Sequence, residues 1–570
     1  MDIKEQANFI WSIADLLRGN FKQSEYGKVI LPFTVLRRFD CVLAPSKEEI
    51  LERNKSLAVS NKAPIFKKYT GHDYYNVSKF DFEKLIDDSN NIDTNLKDYI
   101  NGFSDDVKEI LDNFEIATII EKLKKAGLLY LVVQKFSEIN LGADTIDNLE
   151  MGYMFEELIR KFSEQSNETA GEHFTPREVI ELMVEVLLDT DLDEITTTDG
   201  KVITILDPAC GTGGMLSIAQ NKIRALNSRT TVVPFGQELN PETYATCKSD
   251  MILKNNTNSK IVFGNSFSED GFREQKFDYI LSNPPFGVEW KKVKNFIENE
   301  SKHKGYDGRF GAGTPRISDG SLLFLQHMIS KMQPIEKGGS RIGIVFNGSP
   351  LFSGDAGSGE SEIRKWIIEK DLLEAVIGLP DQLFYNTGIS TYVWILTNRK
   401  TDRRKGKIRL INGTSYFKKM RKSLGNKRNE ITESDRKEIV RLYSTYEHDE
   451  NYIDFDNDDF GYRKITIERP LYDENREVVV EKGNPKPNSK LRDTETVPFK
   501  EDIHEYFKRE VLPHVPDAWI DEKKTKIGYE IPFTRHFYKF TPLRESSVIL
   551  DEIKQLEEKI QKSLNELFKG

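Results

Sequence analysis

Val202-Ile203-Thr204-Ile205-Leu206-Asp207-Pro208-Ala209-Cys210-Gly211-Thr212-Gly213-Gly214 is the stretch that decides the fold. Its first five residues are apolar or β-branched, which predicts a buried strand. The glycines form a turn that lets a ligand approach the backbone, and an amphipathic helix follows from Met215. A strand, a glycine-rich turn and a helix open the α/β sheets that bind ligands at the carboxyl ends of their strands.

Seven more strand-like runs follow this stretch, with helical stretches between many of them. The runs are 231–235, 260–263, 277–281, 341–346, 373–379, 391–396 and 407–411. Such alternation predicts an α/β fold with a mostly parallel, doubly wound sheet. The last two or three runs are joined by connections too short for a helical crossover, so we expect an antiparallel edge.

The sequence pattern changes on either side of the segment that is predicted to form this sheet. Helical periodicity dominates before it, so residues 1–165 are predicted to form a helical N-terminal domain and 166–448 the catalytic domain. Residues 449–570 are interpreted as an extended arm that ends in a helix. That helix carries an apolar stripe, which needs another surface to cover it; the stripe comprises Ile549, Ile553, Leu556, Ile560, Leu564 and Leu567. The helix therefore either binds a partner or packs on its own chain.

The composition of the chain limits the classes of protein to which it can belong. The chain has 570 residues, 38% of them hydrophobic, and a net charge of -10, so any contact with nucleic acid must come from local basic patches or from a partner. Three scattered cysteines exclude a disulfide framework and a cysteine-based zinc site. Without a signal peptide or a membrane-length apolar stretch, a cytoplasmic protein with no membrane association is expected.

The residues around the glycine turn suggest an adenosyl ligand. Asp207 would lie at the carboxyl end of the first strand, where its carboxylate can meet a cationic amino group. The turn lacks the Gly-Lys-Ser/Thr ending of a phosphate cradle. Glu238 ends the second run, where an acidic residue can reach ribose hydroxyls. Asn265, after the third run, can bond an adenine edge or can simply be a turn residue.

A second candidate segment is Glu172-His173-Phe174-Thr175, which precedes a helix that should begin near Pro176. The free N–H groups of that helix can hold a carboxylate. His173 is interpreted as structural rather than catalytic.

The tetrapeptide Asn283-Pro284-Pro285-Phe286 follows the fourth run and offers hydrogen-bond acceptors beside an aromatic face. The Asn283 side-chain oxygen and the Pro284 carbonyl can both accept from a planar NH₂ group, while Phe286 can stack on its ring. An ordinary diproline turn is the alternative, but the position after a strand disfavours it. The pattern predicts methyl transfer to the exocyclic amine of a flipped-out base and requires no metal.

These motifs resemble the modification subunit of type I restriction-modification systems, an S-adenosylmethionine-dependent adenine-N6 DNA methyltransferase. The resemblance covers nearly the whole chain, and its motifs lie at 9–39, 171–176, 207–215, 283–286, 378–389 and 531–544. It implies a methyltransferase sheet with a helical N-terminal domain and a helical C-terminal tail. It also implies a complex on double-stranded DNA, with two such subunits, one DNA-specificity subunit and, in some systems, an ATP-dependent restriction subunit.

The same resemblance assigns the site residues. The target adenine would be held by Asn283, Pro284, Pro285 and Phe286. S-adenosylmethionine would be held by Glu172, His173, Phe174, Thr175, Asp207, Ala209, Gly211, Thr212, Gly213, Gly214, Glu238 and Asn265. Many members of the family have aspartate where this chain has Asn265, and an amide accepts hydrogen bonds less strongly than a carboxylate does.

Other functions compete with this interpretation. Methylation of a protein glutamine poses the same electronic problem, although a longer chain with a partner-binding helix disfavours it. A fused nuclease is hinted at by Asp517 and Glu522-x-Lys524, whose spacing is too tight for metal-binding carboxylates on separate strands. A scaffold without catalysis would not need the intact tetrapeptide. Basic stretches at 291–294, 399–407 and 418–422 are either phosphate contacts or solvated surface.

Overall fold

A computed structural model of the protein describes residues 3–57, 61–165, 175–254, 258–385, 387–537 and 545–567. The chain divides into two units, residues 1–531 and 532–570, which are described separately. None of the described helices combines the length and the apolar character needed to cross a bilayer.

The chain begins with helices that pack around their own apolar core, as the periodicity predicted. The buried Arg38 guanidinium donates to the carbonyl of Ile146 over 2.8 Å, which ties the second of these helices to the loop that precedes the last. The helices are α1 (Ile3–Leu17), α2 (Tyr26–Leu43), α3 (Lys47–Ser56), α4 (Ala63–Thr70), α5 (Phe82–Ile86), α6 (Ile92–Asn101), α7 (Asp105–Asn113), α8 (Ile116–Lys125), α9 (Leu129–Ser137) and α10 (Asn148–Gln165).

A large sheet follows, and all eight predicted runs are strands in it. These are β1 (Val202–Asp207), β2 (Thr231–Glu238), β3 (Lys260–Phe263), β4 (Tyr279–Ser282), β5 (Arg341–Asn347), β6 (Leu373–Gly378), β7 (Thr391–Thr397) and β8 (Lys407–Asn412). A hairpin of β9 (Lys418–Leu424) and β10 (Lys427–Glu430) comes next, and β11 (Tyr452–Asp456) completes the sheet.

Among the described residues this sheet has nine strands, in the order β11-β8-β6-β7-β5-β4-β1-β2-β3. Seven strands run in one direction, while β7 and the edge strand β11 run antiparallel to their neighbours. The predicted mostly parallel sheet with an antiparallel edge is therefore confirmed, and the second antiparallel strand, β7, lies three positions in from the β11 edge, between β5 and β6.

Helices cover the sheet, and local signals set their starts. The Asn240 side chain accepts from the backbone N–H groups of Glu242 and Thr243 at 3.0 and 3.1 Å. Asn240 therefore caps the helix that begins at Pro241. The covering helices are α11 (Arg177–Asp189), α12 (Leu192–Thr197), α13 (Gly214–Leu226), α14 (Pro241–Leu253), α15 (Lys294–Lys304), α16 (Ser321–Ser330), α17 (Ser349–Phe352), α18 (Gly359–Glu369) and α19 (Glu433–Ser444).

The helical region contacts the sheet layer through polar side chains on α7 and α14. Glu109 on α7 accepts hydrogen bonds of 2.6 Å from both the Tyr244 hydroxyl and the Lys248 ammonium on α14. These contacts sit beside α14, which follows β2, so the helical region lies against the side of the sheet that carries β2 and β3.

The segment after residue 449 differs from the expected arm. It contributes β11 to the large sheet and then forms a small sheet around Ile465, Ile467 and Val497. Buried Arg364 on α18 donates to the Tyr529 carbonyl over 2.6 Å and holds this small sheet in place. The strands of this small sheet are β12 (Gly461–Glu468), β15 (Asp493–Pro498), β16 (Trp519–Ile520) and β17 (Lys526–Tyr529). The same segment contains a separate hairpin of β13 (Val480–Glu481) and β14 (Asn484–Pro485), and the helix α20 (Ile503–Tyr506). The domain boundaries at 165 and 448 remain predictions.

The second unit contains α21 (Phe533–Phe537) and α22 (Ser546–Leu567). The predicted helical C-terminal tail is confirmed by α22. The stripe residues Ile549, Ile553, Leu556 and Ile560 are exposed by 41 to 58%. Whether this stripe binds a partner stays a prediction.

Candidate functional site: the carboxyl edge of strands 1, 2 and 4

The candidate site lies where the strand order reverses. Strand β1 pairs in parallel with β2 on one side and with β4 on the other. The loops after these strands therefore diverge and leave a crevice at the carboxyl edge, which is where open α/β sheets bind ligands. The glycine turn follows β1, Glu238 ends β2, and the tetrapeptide 283–286 follows β4.

Asp207 is buried at the end of β1, with 2% of its surface exposed. Its carboxylate accepts hydrogen bonds from the Ala209 backbone over 3.0 Å and from the Ser282 hydroxyl over 2.9 Å. Burial raises the pKa of Asp207 to about 7, and the nearby Glu238 carboxylate also raises it, against the lowering effect of the two hydrogen bonds. Asp207 is thus poised between its neutral and charged forms near neutral pH.

The glycine turn needs its glycines at two positions. Gly211 and Gly213 have φ values of +53° and +84°, which are left-handed conformations that favour glycine. A Cβ on Gly211 would meet none of the described atoms within 4 Å, so the described residues leave space in front of the turn. A Cβ on Gly213 would lie 2.7 Å from Cys247 Sγ, so this glycine lets α14 pack closely. Helix α13 begins directly after it.

Glu238 connects the first two loops of the crevice. One carboxylate oxygen accepts from the Gly211 N–H over 2.8 Å, and the other accepts from the Asn240 N–H over 2.7 Å. The Cys210 N–H also donates to the Gln237 carbonyl over 3.0 Å. The carboxylate is therefore fixed beside the glycine turn, at the position where the sequence analysis expected it.

Asn265 occupies a turn after β3. Its side-chain oxygen accepts from the backbone N–H groups of Phe267 and Ser268 at 2.9 and 3.3 Å. This is the turn role that the sequence analysis left open. A contact from Asn265 to adenine remains a prediction.

The tetrapeptide after β4 presents one unusual atom. The Asn283 side-chain nitrogen donates to Thr175 Oγ over 2.9 Å. The Asn283 Oδ1 atom is buried and has no hydrogen-bond partner among the residues that the structure describes. A buried acceptor without a partner costs about 1 to 3 kcal/mol, which a ligand that donates there would recover. An amine donor is such a ligand.

Phe286 is mostly buried, with 7% of its surface exposed. It belongs to the same apolar cluster as Leu379, Leu383 and Phe384, which lie in the segment after β6. Pro284 is buried and Pro285 is half-buried beside it. The ring is therefore held by apolar neighbours at the same edge of the sheet as the Asn283 acceptor.

Two residues link the two halves of the site, and the sequence analysis missed the linking role of both. Ser282 donates to Asp207 and directly precedes Asn283 in the chain. Thr175 contacts Asn283, and its expected contact with the cofactor remains a prediction. The adjacency of Ser282 to the tetrapeptide was a usable signal, whereas Thr175 had none. The predicted residues Glu172, His173 and Phe174 lie outside the described residues.

The strand order and the loops at this edge match the doubly wound sheet of a methyltransferase. Comparison with known proteins gives the family. The family model "N-6 DNA Methylase" matches residues 147–460, more than half of the chain, and the model "HsdM N-terminal domain" matches residues 6–136. The chain belongs to the N-6 DNA methylase family and is a DNA methyltransferase.

Individual relatives agree with this membership. The chain is 26% identical over 487 residues to a type I restriction enzyme methylase subunit of Methanocaldococcus jannaschii, covering 81% of this chain and 80% of the relative. It is 32% identical over 279 residues to one of Haemophilus influenzae, covering 48% and 55%. The resemblance to type I modification subunits is therefore confirmed.

A solved structure supports the fold alone. It is the methyltransferase subunit of a type I restriction-modification system from Streptococcus thermophilus. The two structures align with a TM-score of 0.64 at 22% identity, over 81% of this chain and 97% of the other.

Proposed function

We propose that this chain transfers a methyl group from S-adenosylmethionine to the N6 amine of a flipped-out adenine in DNA. It does so as the modification subunit of a type I restriction-modification complex whose sequence recognition lies in a separate specificity subunit. The observation that carries the proposal is the buried Asn283 Oδ1 atom at the carboxyl edge, which has no hydrogen-bond partner in the part of the chain that the structure describes. It lies one residue from Ser282, which hydrogen-bonds Asp207.

The residues around the glycine turn fit the cofactor. The open space before Gly211 admits a ligand against the backbone, and the Glu238 carboxylate beside it can accept from ribose hydroxyls. The ionised form of Asp207 would pair with the amino group of the cofactor. When bound, S-adenosylmethionine supplies an electrophilic sulfonium methyl group.

The tetrapeptide fits the base. The exocyclic nitrogen of adenine is a poor nucleophile because its lone pair is delocalised into the ring. Hydrogen bonds from this amine to Asn283 Oδ1 and to the Pro284 carbonyl favour a pyramidal nitrogen with a localised lone pair. Thr175 holds the Asn283 amide so that its oxygen is the free acceptor. Phe286 would stack on the base and partly offset the cost of flipping it out.

Sequence recognition and assembly are assigned to partners. The net charge of -10 disfavours tight binding of DNA by the chain alone. The exposed stripe on α22, defined by Ile549, Ile553, Leu556 and Ile560, is proposed to dock on the specificity subunit. The complete assembly would contain two copies of this chain, and a restriction subunit where the system has one. A cytoplasmic location follows from this role.

Sequencing of modified bases in cellular DNA tests the proposal. Cells that express the chain with its specificity subunit should carry N6-methyladenine at a bipartite motif, and cells that express the chain alone should not. Asn283→Ala should lower the rate by about 10²- to 10³-fold, as the loss of one transition-state acceptor does, while calorimetry shows cofactor binding retained. Methylated cytosine, or full activity of Asn283→Ala, would refute the proposal.

The docking of α22 has its own test. The pair Ile553→Asp and Leu556→Asp should abolish co-purification with the specificity subunit. The pair Gln555→Asp and Gln561→Asp adds the same charge away from the stripe and should leave co-purification intact. Equal behaviour of the two pairs would exclude the stripe as the docking surface.

A further inference from the structure

A strongly basic hairpin stands at the carboxyl edge of the sheet. We call residues 413–430 the basic hairpin; it contains β9 and β10 and carries six basic residues and one acidic residue. It follows β8, which runs parallel to β6, and the Gly413 N–H donates to the Gly378 carbonyl at the end of β6 over 2.9 Å. Since β6 and β1 run in the same direction, the hairpin and the candidate site share one edge of the sheet.

Four basic side chains of the basic hairpin are available to bind a ligand. Lys418, Lys419, Arg421 and Lys422 are all exposed. None of them forms an ion pair with a residue in the described part of the chain, although Glu430 lies opposite Lys418 in the strand register. Along β9 they span about 14 Å, at about 3.4 Å per residue. Such a cluster is notable in a chain with a net charge of -10.

The basic stretch between β7 and β8 is arranged differently. In the stretch 399–407, Arg399 pairs with Asp191, Lys400 with Asp371 and Lys405 with Asp402. This stretch follows β7 and precedes β8, so it lies at the amino edge, away from the candidate site. These three cations serve the fold, whereas Lys418, Lys419, Arg421 and Lys422 have no ion-pair partner among the described residues.

The base of the hairpin is fixed to the site. Lys427 is buried, with 3% of its surface exposed, and its ammonium group pairs with Glu178 and donates to the Leu383 carbonyl over 3.0 Å. A buried ammonium is costly unless it is paired in this way. The Asn426 N–H donates to the Tyr385 carbonyl over 2.7 Å.

These contacts place the hairpin close to the tetrapeptide. Glu178 lies in the first turn of α11, three residues after Thr175, which contacts Asn283. Leu383 lies in the apolar cluster that holds Phe286. The anchored end of the hairpin therefore holds the four exposed cations beside the pocket that is proposed to bind the adenine.

We propose that the basic hairpin binds the phosphate backbone of duplex DNA next to the flipped adenine. This inference rests on the proposed function, because it names the surface through which the same substrate is held. Lysine and arginine side chains that neutralise phosphates release counterions, so their contribution weakens steeply as salt rises. The contacts carry no sequence information and complement a separate specificity subunit.

The test compares two variants of the full chain with the parent, each assembled with the specificity subunit, and each variant lacks four basic residues. The hairpin variant replaces Lys418, Lys419, Arg421 and Lys422 with alanine. The control variant replaces four exposed basic residues at the amino edge with alanine, namely Arg229, Lys337, Lys405 and Lys407. Binding of a fluorescent DNA duplex is measured by anisotropy from about 50 to about 200 mM salt, and the slope of log affinity against log salt is recorded.

The hairpin variant should bind the duplex at least about tenfold more weakly at the lower salt concentrations, with a slope shallower by about 3 to 4. The control variant should match the parent within about twofold, and calorimetry should show equal cofactor binding for all three proteins. Equal DNA binding by the two variants would overturn the inference while methylation by the parent complex upholds the proposed function. Loss of the specificity subunit, without loss of DNA affinity, would overturn it in favour of a protein interface. A parent complex that neither binds nor methylates DNA would overturn both.

Discussion

The Asn283 side-chain nitrogen donates a hydrogen bond to Thr175 Oγ over 2.9 Å, across 108 positions of sequence. The contact orients the Asn283 amide, because the nitrogen is occupied and the oxygen is left as the acceptor. Thr175 is therefore a positioning residue for the chemistry proposed at Asn283.

Thr175→Val removes this acceptor with almost no change in shape. We expect kcat to fall by about tenfold, since one hydrogen bond contributes about 0.5 to 1.5 kcal/mol, and KM for DNA to change little. Thr175→Ser keeps the hydroxyl and should restore most of the rate. Steady-state methylation kinetics decide the matter, and a valine variant with the parental kcat would contradict the positioning role.

Phe286 combines packing with the proposed stacking, and two substitutions separate them. Phe286→Leu keeps an apolar side chain and should cost less than about 1.5 kcal/mol in stability. It should nevertheless lower methylation by about tenfold or more, because stacking on a base contributes about 1 to 3 kcal/mol. Phe286→Tyr keeps the ring and should retain activity. If both variants lose rate only in proportion to lost folded protein, the ring has a packing role alone.

Asp207 should make stability depend on pH in the absence of cofactor. Its pKa is about 7 in the folded protein and near 3.8 in the unfolded chain, so the folded state holds a proton that the unfolded state has lost between these values. The free energy of unfolding contributed by Asp207 is therefore fully present below about pH 4 and is lost as pH rises through 7, by a few kcal/mol at most. Asp207→Asn should remove this contribution. Urea unfolding at a series of pH values measures it, and parallel profiles for the two proteins would contradict the shift.

Two glycines of the same turn should respond differently to alanine. Both have positive φ, which costs a residue with a side chain about 1 to 2 kcal/mol. Gly213→Ala adds a clash with Cys247 Sγ, so its melting temperature should fall further than that of Gly211→Ala. Adding Cys247→Ala should recover part of the Gly213→Ala loss. Gly211→Ala should instead weaken cofactor binding, measured by calorimetry. Equal melting temperatures for the two single variants would show that the Sγ contact is not limiting.

Most of the sheet was predictable from sequence because its central strands are buried on both faces and read as continuous apolar runs. Strand β11 was missed for the opposite reason. Its Asp454 carboxylate accepts from Arg409 at the sheet margin, so the strand is acidic and only partly buried. The small sheet was missed because its strands are short and mostly half-exposed, and because Arg364 holds it through a contact 165 residues away.

The candidate site was predictable where topology alone brings residues together. Asp207 and the tetrapeptide end adjacent parallel strands, so their proximity follows from strand order. The Thr175 contact depends on how α11 packs, which no pattern near residue 175 records. The anchoring of the basic hairpin by Lys427 and Glu178 likewise joins residues 249 positions apart.

The two edge strands of the large sheet affect whether this protein aggregates. One margin is β3, only four residues long and beginning with Lys260; the other is β11, which carries Asp454 and Asp456. Short strands and charged side chains are the features that discourage an exposed edge from pairing with an edge of another molecule. Copies of this chain should therefore associate through side-chain surfaces, and a fibril built by continuing the sheet from one molecule to the next is disfavoured.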